Sequence, residues 1–390
     1  MDATRRKFMK AAAILLVDRW SGSHRYAFGS AFGSSALKSH PKVIVVTCGG
    51  VRHADTFLET GLGNIPHLNR ELLPQSVFFP FMRNEGVTSH YNTISSILTG
   101  NWQREDDWGK TPPASPTIFE YVRRRLQMPP EDAWFISSNK ALSSQIGASS
   151  VRGYGPHYGA NVIFPKQLLI NAVVNAASAG RVANTADRGA MQQEIATILE
   201  ANNYEGIGWS VSDESSSLDS STHASVLRAI EDLVRTNAPV TGDEFTFLVC
   251  VEVMRRFAPS LIVVTFSDVE VAHSGSYSLH LSGIRTIDRL VGELWNEVQT
   301  NASYKGKTTV FVLPEFGRDL DGSNTNGFFN HRQNHDSTRL TWMMCLGEAA
   351  KRSGMIERPV QHIDLCPTIL NLFGVLTPEV SGKLLTEVRV

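Results

Sequence analysis

A single segment constrains this chain more than any other, because an apolar β-branched run ends abruptly in polar residues. Residues 261–277 read LIVVTFSDVEVAHSGSY, so that Asp268, Glu270 and His273 follow the apolar run within six residues. This pattern is typical of a buried parallel strand whose carboxyl end opens into a site. Carboxylate and imidazole are ligands that a divalent metal ion accepts. The segment therefore predicts a metal site, and the alternative is a helix-capping Asp268 beside a solvated His273.

A second segment repeats the pattern of an apolar strand followed by ligand-type side chains. Residues 308–318, TTVFVLPEFGR, contain an apolar run that ends at Glu315, and a Gly-rich polar loop follows. Residues 330–336 then read NHRQNHD and supply His331 and His335. Two predicted strands thus end in residues that bind metals, and parallel strands would bring these ends to one edge of a sheet.

These two segments resemble the alkaline phosphatase superfamily of metallohydrolases, which includes sulfatases, nucleotide phosphodiesterases and cofactor-independent phosphoglycerate mutases. In that family one strand carries an Asp-x-x-x-His motif, the next ends in Asp-His-Gly, and a later His completes the site. The resemblance implies that the metal ligands are Asp268 or Glu270 with His273, then Glu315, then His331 or His335.

The resemblance extends over residues 41–376 in the family's order. PKVIVVTCGG at 41–50 resembles the first strand and its metal-binding turn, and NIPHLN at 64–69 resembles the segment that follows it. ISSILTG at 94–100 resembles the end of the nucleophile helix, and QHIDLCPTILNLFGV at 361–375 resembles a C-terminal segment. The resemblance implies an α/β fold of three layers, with a mostly parallel central sheet and helices on both faces.

The chain departs from the family pattern at three catalytic positions. Cys48 stands where the first strand usually ends in a metal-binding Asp, and it is either an altered ligand or a small apolar core residue. Glu315 and Phe316 replace the Asp-His pair, which removes one imidazole. His90 occupies the position of the usual Ser, Thr or Cys nucleophile, and a histidine can accept a phosphoryl group.

Hydroxyl groups close to position 90 are alternative nucleophiles. Ser89, Thr88 and Thr93 are the neighbouring hydroxyl residues, and a shift of one position would place Ser89 at a helix N-terminus, which favours an oxyanion. Arg52 and Arg318 follow two of the predicted strands and could supply the cationic contact of a missing second metal. Either arginine could instead form a structural ion pair.

The resemblance implies metal-assisted displacement at phosphorus or sulfur, and a small anionic ester as the substrate. Zinc is favoured, with manganese or calcium as alternatives, and one ion is favoured over two because of the altered positions. No Cys-x-Pro-x-Arg motif is present, so a phosphate mono- or diester is favoured over a sulfate ester. The competing hypothesis is a catalytically degenerate exported relative that acts as a binding or structural protein.

Length and composition are consistent with one large domain with insertions, and equally with two domains. The 390 residues are 42% apolar, which is enough for a sizeable core, and the net charge of −1 argues against nucleic acid as a partner. After the N-terminal region, no segment reaches the roughly 18 apolar residues of a membrane span. Four cysteines without C-x-x-C spacing are predicted to be buried free thiols, at positions 48, 250, 345 and 366.

Apolar runs separated by helical patterns predict the strands of the sheet. The predicted strands cover residues 43–47, 134–138, 261–266, 309–313 and 340–346. Apolar residues at spacings of three and four over 281–298 predict a core helix. Residues 140–245 are rich in Ser, Ala, Asn and Gly, and we interpret them as a helical and loop insertion into the domain.

The N-terminus resembles a twin-arginine export signal. Residues 4–10, TRRKFMK, contain Arg5 and Arg6 and precede a short apolar stretch at 11–17. We therefore predict a signal and linker over residues 1–40, an alkaline phosphatase-like domain over 41–390, and a periplasmic or extracellular location.

Overall fold

The computed structural model describes residues 40–105, 108–139, 143–165, 241–321, 327–331, 335–376 and 380–389. Residues 1–39 of the export signal and linker predicted over 1–40, and residues 166–240 of the predicted insertion, lie outside the described residues, so both stay predictions. Within the described ranges, every helix is too short or too polar to cross a bilayer.

Nine strands of the described residues form one sheet. Their bounds are Lys42–Thr47 (β1), Val77–Arg83 (β2), Ala133–Ser137 (β3), Asn161–Ile163 (β4), Leu261–Thr265 (β5), Thr308–Leu313 (β6), Leu340–Gly347 (β7), Gly354–Met355 (β8) and Val360–Gln361 (β9). The strand order is β4-β3-β5-β1-β6-β7-β2-β8, and β9 also pairs with β2. The strands from β4 to β6 are parallel, and β7 runs antiparallel to both of its neighbours.

Six helices of the described residues are α-helical. They are His90–Thr99 (α1), Ile118–Leu126 (α2), Gly242–Phe257 (α3), Tyr277–Thr300 (α4), Asp336–Arg339 (α5) and Leu365–Leu372 (α6). Shorter 3-10 turns lie at His53–Asp55, Leu62–Asn64, Leu73–Gln75, Pro130–Asp132, Pro156–Tyr158, Asp268–Ser274, Gly327–Phe329 and His362–Asp364, and His67–Leu72 is a π-helical turn.

The core lies in two layers, one on each face of the sheet. Along β1, Val43 and Val45 belong to a cluster that includes residues of α1, α2 and α6. Ile44 and Val46 belong to a second cluster that includes residues of α3 and α4. Because side chains alternate across a strand, an apolar run without polar interruptions serves both layers. The three-layer α/β fold with a mostly parallel sheet is confirmed.

The strand ends are in register at the edge that carries the predicted site. Thr47, the last residue of β1, pairs with Thr265 of β5 on one side and with Leu313 of β6 on the other. The polar segments that follow these three strands therefore start at the same level of the sheet. Gly50 and Phe316 extend the pairing of β1 and β6 by one isolated bridge.

The helix α2 begins with a capping box, and the glutamate of this box also binds the loop at residues 149–155. Glu120 accepts hydrogen bonds from the backbone N–H and the hydroxyl of Thr117, at 2.7 and 2.9 Å. Its carboxylate also accepts from the N–H and hydroxyl of Ser149 and from the N–H of Gly155. Since Glu120 is fully buried, these donors compensate its charge in place of water.

Candidate functional site

The candidate site lies at the carboxyl ends of β1, β5 and β6, and the side chain of His90, the first residue of α1, reaches the same point. The chain turns after β1 at Gly49, whose φ of +56° belongs to the left-handed region. A Cβ on Gly49 would lie 2.8 Å from Oε1 of Glu270, so glycine permits the close approach of this turn to the site.

Glu270 is the centre of the site. Its Oε1 accepts a hydrogen bond from the backbone N–H of Gly50 at 2.7 Å, and its Oε2 accepts one from Nη2 of Arg318 at 2.6 Å. Burial alone would raise the pKa of this carboxyl, but the charges of Arg318 and His90 and a hydrogen bond with His273 hold the pKa well below its ordinary value. Glu270 is therefore ionised in the folded protein.

Three imidazoles surround the same oxygen of Glu270. The Nε2 atoms of His90, His273 and His331 lie 3.4, 3.2 and 3.7 Å from Oε2. The Nε2 atoms of His273 and His331 are 3.1 Å apart. Two imidazole nitrogens at this distance repel each other unless a proton or a cation lies between them.

The hydrogen-bond partners of Nδ1 define the tautomers of His331 and His90. Nδ1 of His331 lies 2.7 Å from the carbonyl oxygen of Thr88, and Nδ1 of His90 lies 2.6 Å from Oε2 of Glu315. Both partners only accept hydrogen bonds, so both Nδ1 atoms carry hydrogen. A neutral ring then presents the lone pair of Nε2 to the centre, which is the arrangement of metal-binding histidines.

The geometry fits a divalent metal ion. His90, Glu270 and His331 each offer one ligand atom, and these atoms all lie within 4.8 Å of one another. In a tetrahedral zinc site, bonds of roughly 2.0–2.1 Å place the ligand atoms about 3.3 Å apart. The Nε2 atoms of His90 and His331 lie 3.4 and 3.7 Å from Oε2 of Glu270, close to that spacing, and Nε2 of His273 lies 3.2 Å from the same oxygen.

Three residues that the sequence nominated as ligands lie outside this cluster. Asp268 accepts a hydrogen bond from the N–H of Asp243 at 2.9 Å and so helps to cap α3. Cys48 lies in the apolar cluster on the α3 and α4 face, where burial raises the pKa of its thiol. His335 is exposed at the start of α5. All four cysteines are buried free thiols, as predicted.

Glu315 lies beside the ligand atoms but contacts them through His90. Its Oε2 accepts from Nδ1 of His90, and its Oε1 accepts from the hydroxyl of Thr47 at 2.9 Å. The structure thus places Glu315 behind His90 with respect to Glu270.

The nominated hydroxyls have different environments. The hydroxyl of Thr88 donates to the carbonyl of His331, and Oγ1 of Thr93 accepts from Nδ2 of Asn84 at 2.8 Å. Ser89 is the buried N-cap residue of α1, and its hydroxyl does not cap the helix. The hydroxyls of Thr88 and Thr93 thus bind neighbouring segments, and Ser89 lies next to His90 in the sequence.

The two nominated arginines are separated. Arg318 is in the site, where its Nε also donates to the carbonyl of Gly50 at 2.7 Å. Arg52 forms ion pairs with Asp55 and Asp321, both at 2.7 Å. Asp55 also accepts from the hydroxyl of Tyr277 at 2.7 Å.

Sequence reasoning missed two parts of the site. The hydroxyl of Thr47 donates a hydrogen bond to Glu315. Thr47 could have been nominated from the sequence, because it is the polar last residue of an apolar strand. Phe316 was noted only as a lost imidazole, yet its ring stacks on His331 with centroids 4.1 Å apart and an interplanar angle of 21°. A stacked aromatic ring fixes the plane of His331.

Comparison with known proteins gives a likeness of structure. No family model matches the chain, and no curated protein matches its sequence. Among solved structures, a protein in the alkaline phosphatase superfamily from Vibrio parahaemolyticus is 13% identical, with a TM-score of 0.53 and coverage of 99% of this chain and 79% of that one.

Two further structures are similar over most of their length. A phosphonate monoester hydrolase from Silicibacter pomeroyi is 15% identical, with a TM-score of 0.56 and coverage of 88% of this chain and 76% of that one. The alkaline phosphatase PafA is 12% identical, with a TM-score of 0.53 and coverage of 90% and 99%. At these identities the likeness establishes an alkaline phosphatase-like fold.

Proposed function

We propose that this protein is a metal-dependent hydrolase of phosphate mono- or diesters or of related anionic esters. The observation that carries the proposal is the convergence of His90, Glu270 and His331 on one point, beside Arg318 and the N-terminus of α1. The activities named for two of the similar structures, phosphonate monoester hydrolase and alkaline phosphatase, fall in the same class.

The donor set supports a divalent ion, with zinc favoured over manganese or calcium. Imidazole nitrogens with one carboxylate are the usual ligands of zinc, whereas calcium requires six to eight oxygen ligands. His90, Glu270 and His331 would hold the ion, and His273 is a further candidate ligand beside them. When bound, it would polarise the ester oxygen and stabilise negative charge on the reacting group.

The protein's own groups would orient the anionic ester. The guanidinium of Arg318 lies in the site, and His90 is the first residue of α1, whose N-terminus favours negative charge. Ser89 is a candidate hydroxyl for attack on phosphorus, because it is the N-cap residue of α1 and lies next to His90. Water is the other possible nucleophile.

The test compares metal-free and reloaded protein on aryl phosphate mono- and diesters and on an aryl sulfate. We expect hydrolysis of a phosphate ester only after reloading, and we expect His331→Ala to lose both the ion and the activity. His157→Ala is the matched control, since His157 is exposed and outside the site. Ser89→Ala separates a serine nucleophile from water, because only the former would lose most of the turnover.

A second candidate function is a binding or structural role in a relative without turnover. It is favoured by the internal compensation of the buried charges, since Arg318 pairs with Glu270 and His90 pairs with Glu315. Reloaded protein that binds phosphate but hydrolyses no ester above the buffer rate would establish this role and exclude the first.

A further inference from the structure

We infer that Glu315 is a positioning residue for His90, and that Thr47 fixes Glu315 for this purpose. The carboxylate holds Nδ1–H of the imidazole so that Nε2 points at the candidate metal centre. The inference rests on the proposed function, because it assigns a role toward the ion that the centre would hold.

Both ends of Glu315 are fixed in place. Its backbone N–H donates to the carbonyl of Gly49 at 2.9 Å, and its own carbonyl accepts from Nδ2 of Asn84 at 3.3 Å. The side chain is 2% exposed, with one oxygen on Thr47 and the other on His90. A carboxylate held at both oxygens has one orientation, so the imidazole that it binds has one orientation as well.

The short contact between Glu315 and His90 sets the chemistry of the ring. At 2.6 Å, the bond between Nδ1 and Oε2 has the length of a charge-assisted hydrogen bond. Such a bond keeps hydrogen on Nδ1, and it increases the electron density and basicity at Nε2. In His331 the corresponding Nδ1 binds a neutral backbone carbonyl, that of Thr88. The carboxylate thus makes His90 the stronger donor of the two.

The same contacts argue against Glu315 as a metal ligand. Its two oxygens are engaged by Thr47 and His90, whereas the converging ligand atoms belong to His90, Glu270 and His331. Phe316, the next residue, stacks on His331 and lies 4.9 Å from the ring of His90. The segment at 315–316 therefore orients two imidazoles around one ion, and we expect one ion per chain.

The experiment measures zinc binding by competition with a chelator, for the wild-type protein and for Glu315→Gln. We expect one zinc ion in both, with an affinity about 10–100-fold lower in the variant. Thr47→Val should weaken binding by a smaller factor, and Thr47→Ser should restore it because the hydroxyl returns. Glu293→Gln is the matched control, since this carboxylate belongs to an exposed ion pair.

A second measurement uses the metal-free protein and does not depend on turnover. A hydrogen-bonded imidazole N–H should give a far-downfield proton resonance in the wild type, absent from His90→Gln and shifted or lost in Glu315→Gln. If Glu315→Gln reduces the number of ions from two to one, or leaves the zinc affinity unchanged, the inference is wrong.

These measurements separate the inference from the proposed function. Hydrolysis with unaltered zinc binding in Glu315→Gln would leave the function standing and overturn the positioning role. Absence of hydrolysis, together with weaker zinc binding and a lost N–H resonance in the variant, would support the positioning role and reject turnover.

Discussion

Arg318 and Glu270 form an ion pair in which Nη2 and Oε2 are 2.6 Å apart and both side chains are 0% exposed. The same Oε2 faces the Nε2 atoms of three histidines. Arg318 thus compensates the negative charge of Glu270, the carboxylate that faces the histidines, at a place that is closed to solvent.

Arg318→Met should destabilise the metal-free protein by about 3–5 kcal/mol, because it leaves the buried charge of Glu270 without its partner. Urea unfolding measures this loss, and saturating zinc should recover part of it because the ion supplies the missing positive charge. Arg255→Met is the control, since Arg255 pairs with Glu297 while 60% exposed and should cost less than about 1 kcal/mol. A loss equal to that of the control would contradict the role assigned to Arg318.

Asp55→Asn should destabilise the protein by about 3 kcal/mol at neutral pH. Burial alone would raise the pKa of the Asp55 carboxyl, but the close approach of His280 at 3.4 Å and the hydrogen bonds from Arg52 and Tyr277 hold the pKa well below its ordinary value. Because the folded pKa is depressed, this stability is present above the unfolded pKa of about 3.9 and is lost as the pH falls through the folded pKa. The difference in unfolding free energy between wild type and variant should therefore stay constant above about pH 5 and shrink below about pH 4. A difference in unfolding free energy that grows as the pH falls would contradict this role of Asp55.

Glu120→Gln should cost about 3 kcal/mol of stability, because an amide nitrogen cannot accept the hydrogen bonds that the carboxylate receives from Thr117, Ser149 and Gly155. Thr117→Ala removes only the capping hydroxyl and should cost about 1 kcal/mol. Thermal or urea unfolding of both variants gives the comparison. Equal losses would show that the loop contacts contribute nothing beyond the cap.

Cys48→Ala should leave the number of bound zinc ions unchanged. The Cys48 side chain packs in the apolar cluster, and burial keeps its thiol protonated by raising its pKa. Metal analysis of the purified variant is the measurement, with His331→Ala as the positive control for loss. A lower zinc content in Cys48→Ala would identify the thiol as a ligand.

The strands of the central sheet could be predicted because each is an uninterrupted apolar run. All five predicted strands are present to within one residue at each end. The strand β2 was missed because Pro80 interrupts its apolar pattern, and a proline has no N–H for the ladder. The sheet accommodates Pro80 where the register with β7 shifts between Phe79 and Met82. The short strand β4 was missed within the predicted insertion.

The segments of the chain that form the site could be predicted from the sequence, but the contacts between them could not. Asp268 and Glu270 were equivalent candidates in the sequence. The structure distinguishes them because the 3-10 turn at Asp268–Ser274 directs Asp268 to the start of α3 and Glu270 to the centre. The different partners of Asp268 and Glu270 depend on the position of α3. The long segment before α3 has no sequence pattern from which that position could be predicted. The role of Glu315 was hidden for the same reason, since its partner lies 225 residues earlier.

The separation between His90 and Glu315 also limits when the site can form during synthesis. The strand β1 lies between β5 and β6, so its two neighbours leave the ribosome more than two hundred residues after it. The N–H of Gly50 binds Glu270, which follows β5, and Nδ1 of His90 binds Glu315, which follows β6, so neither contact can form before these segments are synthesised. Closing a loop of this length is slow compared with local helix formation. A nascent chain that stops before residue 331 therefore lacks one of the three residues of the candidate metal centre, and the ion that we propose would be taken up only by chains whose translation is nearly complete.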